Sequence, residues 1–136
     1  MQRIVSDTNS LIQCLPSKSI YHPIWQSFFD GTNLLCVSTG ILNEYEEILC
    51  KLTSEEIARA VVDAIINNPY TIYIDPRFKL NLITKDPDDN MFVDCAFASN
   101  AKYIVTNDHH FDILKTTRFP QFEVMTIQKF LLVYKG

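Results

Sequence analysis

The chain alternates short, nearly continuous apolar runs with longer segments in which apolar residues recur every third or fourth position. The short runs lie within residues 2–6, 34–37, 71–74, 103–107 and 122–125 and are rich in Ile, Val, Leu and Tyr, which predicts strands. Between them, helical spacing predicts a helix over 9–15, stopped by Pro16. A second covers 20–30, where Trp25, Phe28 and Phe29 recur at helical spacing before Asp30-Gly31. Ser38 or Thr39 caps a third, running to Leu52. Thr53-Ser54-Glu55-Glu56 opens a fourth in the manner of a capping box, running to Asn68-Pro69. Asp86-Pro87 is an N-cap followed by proline at the first helical position, and the helix it opens reaches about Asn100. Short helices over 110–115 and 127–134 complete the set. Strands without polar alternation, separated by helices, predict an α/β three-layer sandwich with a central parallel sheet, one domain over residues 1–136.

That arrangement directs attention to the strand ends, because ligands in open parallel sheets gather outside the carboxyl edge. Asp7 ends the run Arg3-Ile4-Val5-Ser6-Asp7, and Asp108 ends Tyr103-Ile104-Val105-Thr106-Asn107-Asp108. Asp94 is the one charge in Met91-Phe92-Val93-Asp94-Cys95-Ala96-Phe97-Ala98, with no Lys or Arg in the octet to pair it. A buried carboxylate is costly unless it is paired, hydrogen-bonded or bound to a metal. In the helix after Thr39 the apolar stripe is Ile41, Leu42, Tyr45, Ile48, Leu49 and Leu52. Glu47 points away from that stripe, whereas Glu44 and Glu46 border it, Glu44 nearer the helix start. Asp7, Glu44, Asp94 and Asp108 are therefore candidate ligands of a hard divalent cation, Mg²⁺ or Mn²⁺, in metal-assisted hydrolysis. Four close carboxylates repel, so at least one should have a raised pKa.

Plainer roles compete at each position. Asp7 and Asp108 also suit helix caps, and Asp86 and Asp88 complement the dipole of a helix start. His109 and His110 read as surface residues. Asn90 and Asp94 stand one turn apart and share a stripe with Phe97 and Ala101, so side chains on that face converge. Asp-Thr-Asn at residues 7–9 also suits the start of a dehalogenase-type phosphatase, but that chemistry needs a second Asp where Asn9 stands.

At 136 residues with 47% hydrophobic content, the chain has enough material for a real core. Its net charge of −4 argues against a broad basic surface for dedicated DNA binding, and less against a nuclease whose acids are neutralised by cations. Cys14, Cys36, Cys50 and Cys95 form no Cys-x-x-Cys pair, which favours buried free thiols over a zinc site. No apolar run approaches the roughly 18 residues that span a bilayer, so a soluble cytoplasmic protein is expected.

Four motifs stand in order: Asp7-Thr8-Asn9-Ser10-Leu11-Ile12, Ser38-Thr39-Gly40-Ile41-Leu42-Asn43-Glu44-Tyr45, Asp86-Pro87-Asp88-Asp89-Asn90-Met91-Phe92-Val93-Asp94, and 103–108. Together they resemble the PIN-domain family, specifically the VapC-like toxin ribonucleases of type II toxin–antitoxin modules. The resemblance implies a Mg²⁺- or Mn²⁺-dependent endoribonuclease with three or four acids, an RNA substrate, a cognate antitoxin and a tendency to dimerise. It carries the family's acids onto Asp7, Glu44 and Asp108. Many relatives have Asp where this chain has Asn90. Asp94 is accordingly assigned as the third acid, with Asp89 as an outer ligand and Asn9, Asn90 and Thr106 as groups that hydrogen-bond the ligating carboxylates. Lys85, Lys102, Lys115 and Arg118 are candidate phosphate partners. The alternative is a degenerate PIN domain that binds RNA or a protein without cutting.

Overall fold

Five strands form one all-parallel sheet in the order β3-β2-β1-β4-β5 in a computed structural model that describes residues 1–84, 86–118 and 120–135. The strands are β1 (Gln2–Ser6), β2 (Asn33–Val37), β3 (Ile72–Tyr73), β4 (Tyr103–Val105) and β5 (Glu123–Met125). Consecutive strand residues point to opposite faces. Ile4 and Val5 of β1 are both fully buried, so both faces of the central strand are covered, as the unbroken apolar runs require.

The helices are α1 (Thr8–Cys14), α2 (His22–Asp30), α3 (Thr39–Leu52), α4 (Glu55–Asn67), α5 (Asn90–Ser99) and α6 (Ile127–Lys135), with 3₁₀ turns over Pro87–Asp89 and His109–Lys115. Their starts follow the sequence signals. The Ser38 and Ser54 hydroxyls accept from the Ile41 and Ile57 amides, satisfying donors that an uncapped helix leaves free. Two expectations shift. The helix opened by Asp86-Pro87 begins as a 3₁₀ turn and becomes α-helical only at Asn90. The helix expected over 110–115 is a 3₁₀ helix beginning at His109.

The strand order reverses between β1 and β4, which makes their shared carboxyl edge the switch point of the sheet. Registers Ile4–Tyr103, Val5–Ile104 and Ser6–Val105 align the two strands there. The Asp7 amide then donates to the Val105 carbonyl at 3.0 Å, extending the ladder by one rung. Cys14, Cys36 and Cys95 are buried free thiols, and burial pushes Cys14 and Cys95 up to about 12. No helix among the described residues is long and apolar enough to cross a membrane.

Candidate metal centre at the sheet switch point

Asp7 leaves β1 and caps α1, its Oδ1 accepting from the Ser10 amide at 2.9 Å. Its Oδ2 accepts from the Thr106 hydroxyl just past β4, and Thr106 Oγ1 in turn accepts from the Asp108 amide at 3.0 Å. One threonine thus ties the acids of the two switch-point strands together. Asp7 is 7% exposed; burial raises its pKa, the Thr106 and Ser10 hydrogen bonds oppose that, and the Asp108 charge adds to the rise.

Glu44 is brought in from α3. Tyr45, fully buried, donates its hydroxyl to the Ser6 carbonyl at 2.6 Å and so fixes the helix against the end of β1. The neighbouring Glu44 carboxylate accepts from the Thr8 hydroxyl at 2.6 Å. Among the described residues Glu46 has no such link, and Glu47 is solvated, paired with Lys51. Of the two border glutamates, Glu44 is thus the one bonded to α1.

On the far side, Asp108 caps the 3₁₀ helix through the His110 amide at 2.9 Å. The His110 Nδ1 lies 3.4 Å from both Asp108 Oδ1 and Asp89 Oδ2. Asp86 completes this group: one ligand atom each of Asp86, Asp89 and His110 lie within 4.8 Å of one another. Burial first, then the charges of Asp86 and Asp108, push Asp89 up to about 6, against the pull of His110. Of the four acids expected to repel one another, Asp7 and Asp94 are raised, in both cases chiefly by burial, and only for Asp7 does another of the four, Asp108, add to the rise.

The structure thus joins Asp7, Asp108 and Asp89 directly or through Thr106 and His110, and links Glu44 through Thr8. Asp94 sits differently. Its Oδ1 accepts from the Leu80 amide at 3.0 Å, and its pKa is raised by burial and lowered by that bond and by the Lys79 charge. Among the described residues it has no hydrogen bond to Asp7 or Asp108. It does border a cleft of about 530 Å³ that Glu44 also lines. Asn90 spends its amide on Ile83, accepting from its N–H at 2.9 Å and donating to its C=O at 2.8 Å. Asn9 is exposed.

Two members were not expected. Asp86 does cap the 3₁₀ turn, accepting from the Asp88 amide, but its carboxylate also faces Asp89 and His110. His110 read as a surface residue because nothing in the chain reveals that residues 86–89 and 108–110 adjoin. The hint was a spacing: Asp86 and Asp89 one 3₁₀ turn apart, and Asp108 two residues before His110. Of the expected phosphate partners, Lys102 enters β4 at the opposite edge of the sheet, and Lys115 lines a depression beside it. Arg118 is exposed, and Lys85 lies outside the described residues.

A doubly wound parallel sheet with acids gathered at its switch point defines the class of protein. The PIN domain profile matches residues 3–110, and the chain belongs to the PIN domain family. Similar solved structures include DNA-bound VapBC from Salmonella typhimurium (TM-score 0.60, 20% identity, 93% of this chain and 99% of that one). VapBC2 from Rickettsia felis, bound to a promoter DNA fragment, is similar at TM-score 0.58 and 17% identity, over 91% and 98% of the two chains. The PIN domain of human SMG5 follows at TM-score 0.53 and 10% identity, over 97% and 98%. No curated protein sequence matches significantly.

Proposed function

We propose that this protein is a metal-dependent endoribonuclease, the toxin of a toxin–antitoxin module, and that its centre is built on Asp7, Glu44, Asp89 and Asp108. The observation that carries the reading is the convergence of Asp7, Asp108, Asp89, Asp86 and His110 at the β1–β4 switch point. Carboxylate oxygens with one imidazole suit Mg²⁺ or Mn²⁺, the nitrogen favouring manganese. The raised Asp89 supports a fit, because crowded acids hold protons when no cation offsets their charge. When bound, such an ion polarises a phosphodiester and lowers the pKa of water. Thr106 and Thr8 orient the carboxylates of Asp7 and Glu44, as hydrogen-bonding partners of ligands do. Asp86 joins as a further ligand. In this proposal Asp94, expected as the third acid, borders the cleft from the Glu44 side, and Asp89 takes the third place.

The likeness to two VapBC chains supports a cognate antitoxin as partner, and a homodimer is consistent with the same reading. The test is cleavage of single-stranded RNA with Mn²⁺, comparing the native sequence with Asp108→Asn, alongside metal titration by calorimetry. Wild-type protein should bind Mn²⁺ and cut, and Asp108→Asn should lose at least a hundredfold in rate, about 2.7 kcal/mol of barrier. Binding of RNA without Mn²⁺ binding or cleavage would establish the degenerate, non-catalytic alternative, which the neutral Asn90 favours.

A further inference from the structure

The stripe of Asn90, Asp94 and Phe97 on α5 is a dock for the chain between β3 and α5. Phe97 packs edge-on against Phe78, with ring centroids 5.4 Å apart. One turn earlier Asp94 accepts from the Leu80 amide, and one turn earlier again Asn90 brackets Ile83 with both halves of its amide. Residues 78, 80 and 83 thus run antiparallel to the helix, each held by a side chain at positions i, i+4 and i+7 of one face. Asn90 is 8% exposed and Asp94 6%, so both are buried polar groups, Asn90 bonded to this backbone through both halves of its amide and Asp94 through one oxygen. An Asp at position 90 could accept from Ile83 but could not donate to its carbonyl, which gives a physical reason for asparagine there.

Between the docked positions, Lys79 and Asn81 are exposed and line the cleft with Gly40, Asn43 and the acids Glu44, Glu47, Asp88 and Asp94, and Lys79 is the one cation among these lining residues. Among the described residues Lys79 has no ion-pair partner within 4 Å. The cleft adjoins the acid group: Glu44, a member of the proposed centre, lines it, and the turn 87–89 carries Asp88 on the cleft side and Asp89 in the acid group.

Resting on the ribonuclease reading above, we propose that the segment 78–83 is a fixed wall of the RNA-binding cleft. Lys79 on that wall takes a backbone phosphate of single-stranded RNA, and Asn90 and Asp94 are positioning residues that hold the wall in place. The phosphate is held by Lys79 opposite Glu44, so an ammonium offsets charge that the acids alone would repel. This role needs no titration and no bond making.

The test uses a labelled single-stranded RNA oligonucleotide in EDTA, which separates binding from cleavage. Lys79→Ala should weaken binding about 3- to 10-fold and reduce the dependence of log K on log salt by about 0.7, one phosphate contact on a single strand. Lys129→Ala, on the exposed side of α6, should change neither. Asn90→Asp keeps the acceptor for the Ile83 amide but sets a carboxylate against the Ile83 carbonyl, so the repulsion should loosen the dock, speed hydrogen exchange at the Leu80 and Ile83 amides and weaken RNA to the level of Lys79→Ala. The double variant should be no weaker than either single, because both act through one contact. Asp94→Asn, which keeps the acceptor, should retain Leu80 protection and wild-type affinity; loss of both would overturn its role as a backbone clamp. If Asn90→Asp leaves RNA binding and exchange unchanged while tightening Mn²⁺ binding, the position is a ligand site and the dock is refuted. RNA binding by wild type that Lys79→Ala leaves intact overturns the wall alone. No RNA binding by wild type at low salt, in EDTA and again with Ca²⁺ in its place, overturns the ribonuclease reading with it.

Discussion

At the scale of single residues, Asp7 holds two offices, helix cap and candidate ligand, and its protonation separates them. Its folded-state pKa is raised above the unfolded value, chiefly by burial, so the native state binds the proton more tightly. The stability this group contributes is then complete below about pH 4 and lost as the pH rises through the folded-state pKa. Asp7→Asn keeps the cap, since Asn and Asp are comparable there, and removes the charge. In EDTA near pH 7 the variant should have a higher urea midpoint than the native sequence, and the gap should close near pH 4. Asp7→Ala lacks the cap and should lose about 1 kcal/mol relative to Asp7→Asn. An Asn variant less stable at neutral pH would mean the carboxylate is stabilised by partners strong enough to outweigh its burial. Sequence made Asp7 and Asp108 legible because each directly follows an apolar run. It chose Asp94 over Asp89 for the third place without access to where residues 78–83 lie, which nothing local specifies and on which that choice depends.

At the scale of elements, the helices were legible through their caps, and the strands through their apolar runs. The departures occur where tertiary partners decide. Residues 87–89 stay in a 3₁₀ turn where Asp86, Asp89 and His110 meet. The strand expected over 103–107 ends at Val105, where Thr106 turns its hydroxyl to Asp7 and Asn107 accepts from the Ile127 amide to start α6. Two glycines show how one substitution changes sign with its element. Gly31 ends α2 at φ +84, and an added Cβ would come within 2.8 Å of the Tyr70 ring. Gly31→Ala should cost about 1–2 kcal/mol or more, since left-handed backbone disfavours any Cβ and the ring must also move. Gly40 lies in the first turn of α3, with its nearest neighbour, Met91 Sδ, at an ordinary 3.4 Å. Gly40→Ala should add about 0.4–1 kcal/mol by restricting the unfolded chain. Urea denaturation of the two variants reads both signs; a destabilised Gly40→Ala would show that Met91 cannot yield.

At the scale of the whole molecule, an acidic chain gathers much of its strain at one end of the sheet. Asp7 and Asp89 are both raised by burial and by the Asp108 charge, with Asp86 adding to Asp89, and the fold tolerates this through Thr106 and His110. A cation bound only by the native state should therefore stabilise it. At a hundredfold excess over Kd the gain is about 2.7 kcal/mol, a rise in Tm on the order of 10 °C for a domain of this size. Protons compete for the same oxygens. Asp89 is raised to about 6, so the metal-free protein holds the Asp89 proton below that pH, and this group's contribution to stability fades as the pH rises through 6. The Mn²⁺-dependent rise in Tm should accordingly be largest above about pH 7 and shrink towards pH 5, while EDTA returns the protein to its metal-free value throughout. In Asp89→Asn one proton competitor and one ligand are gone, and a smaller rise should remain. A Mn²⁺ effect equally large at pH 5, or one that survives Asp89→Asn unchanged, would place the ion away from Asp89 and return the third position to Asp94.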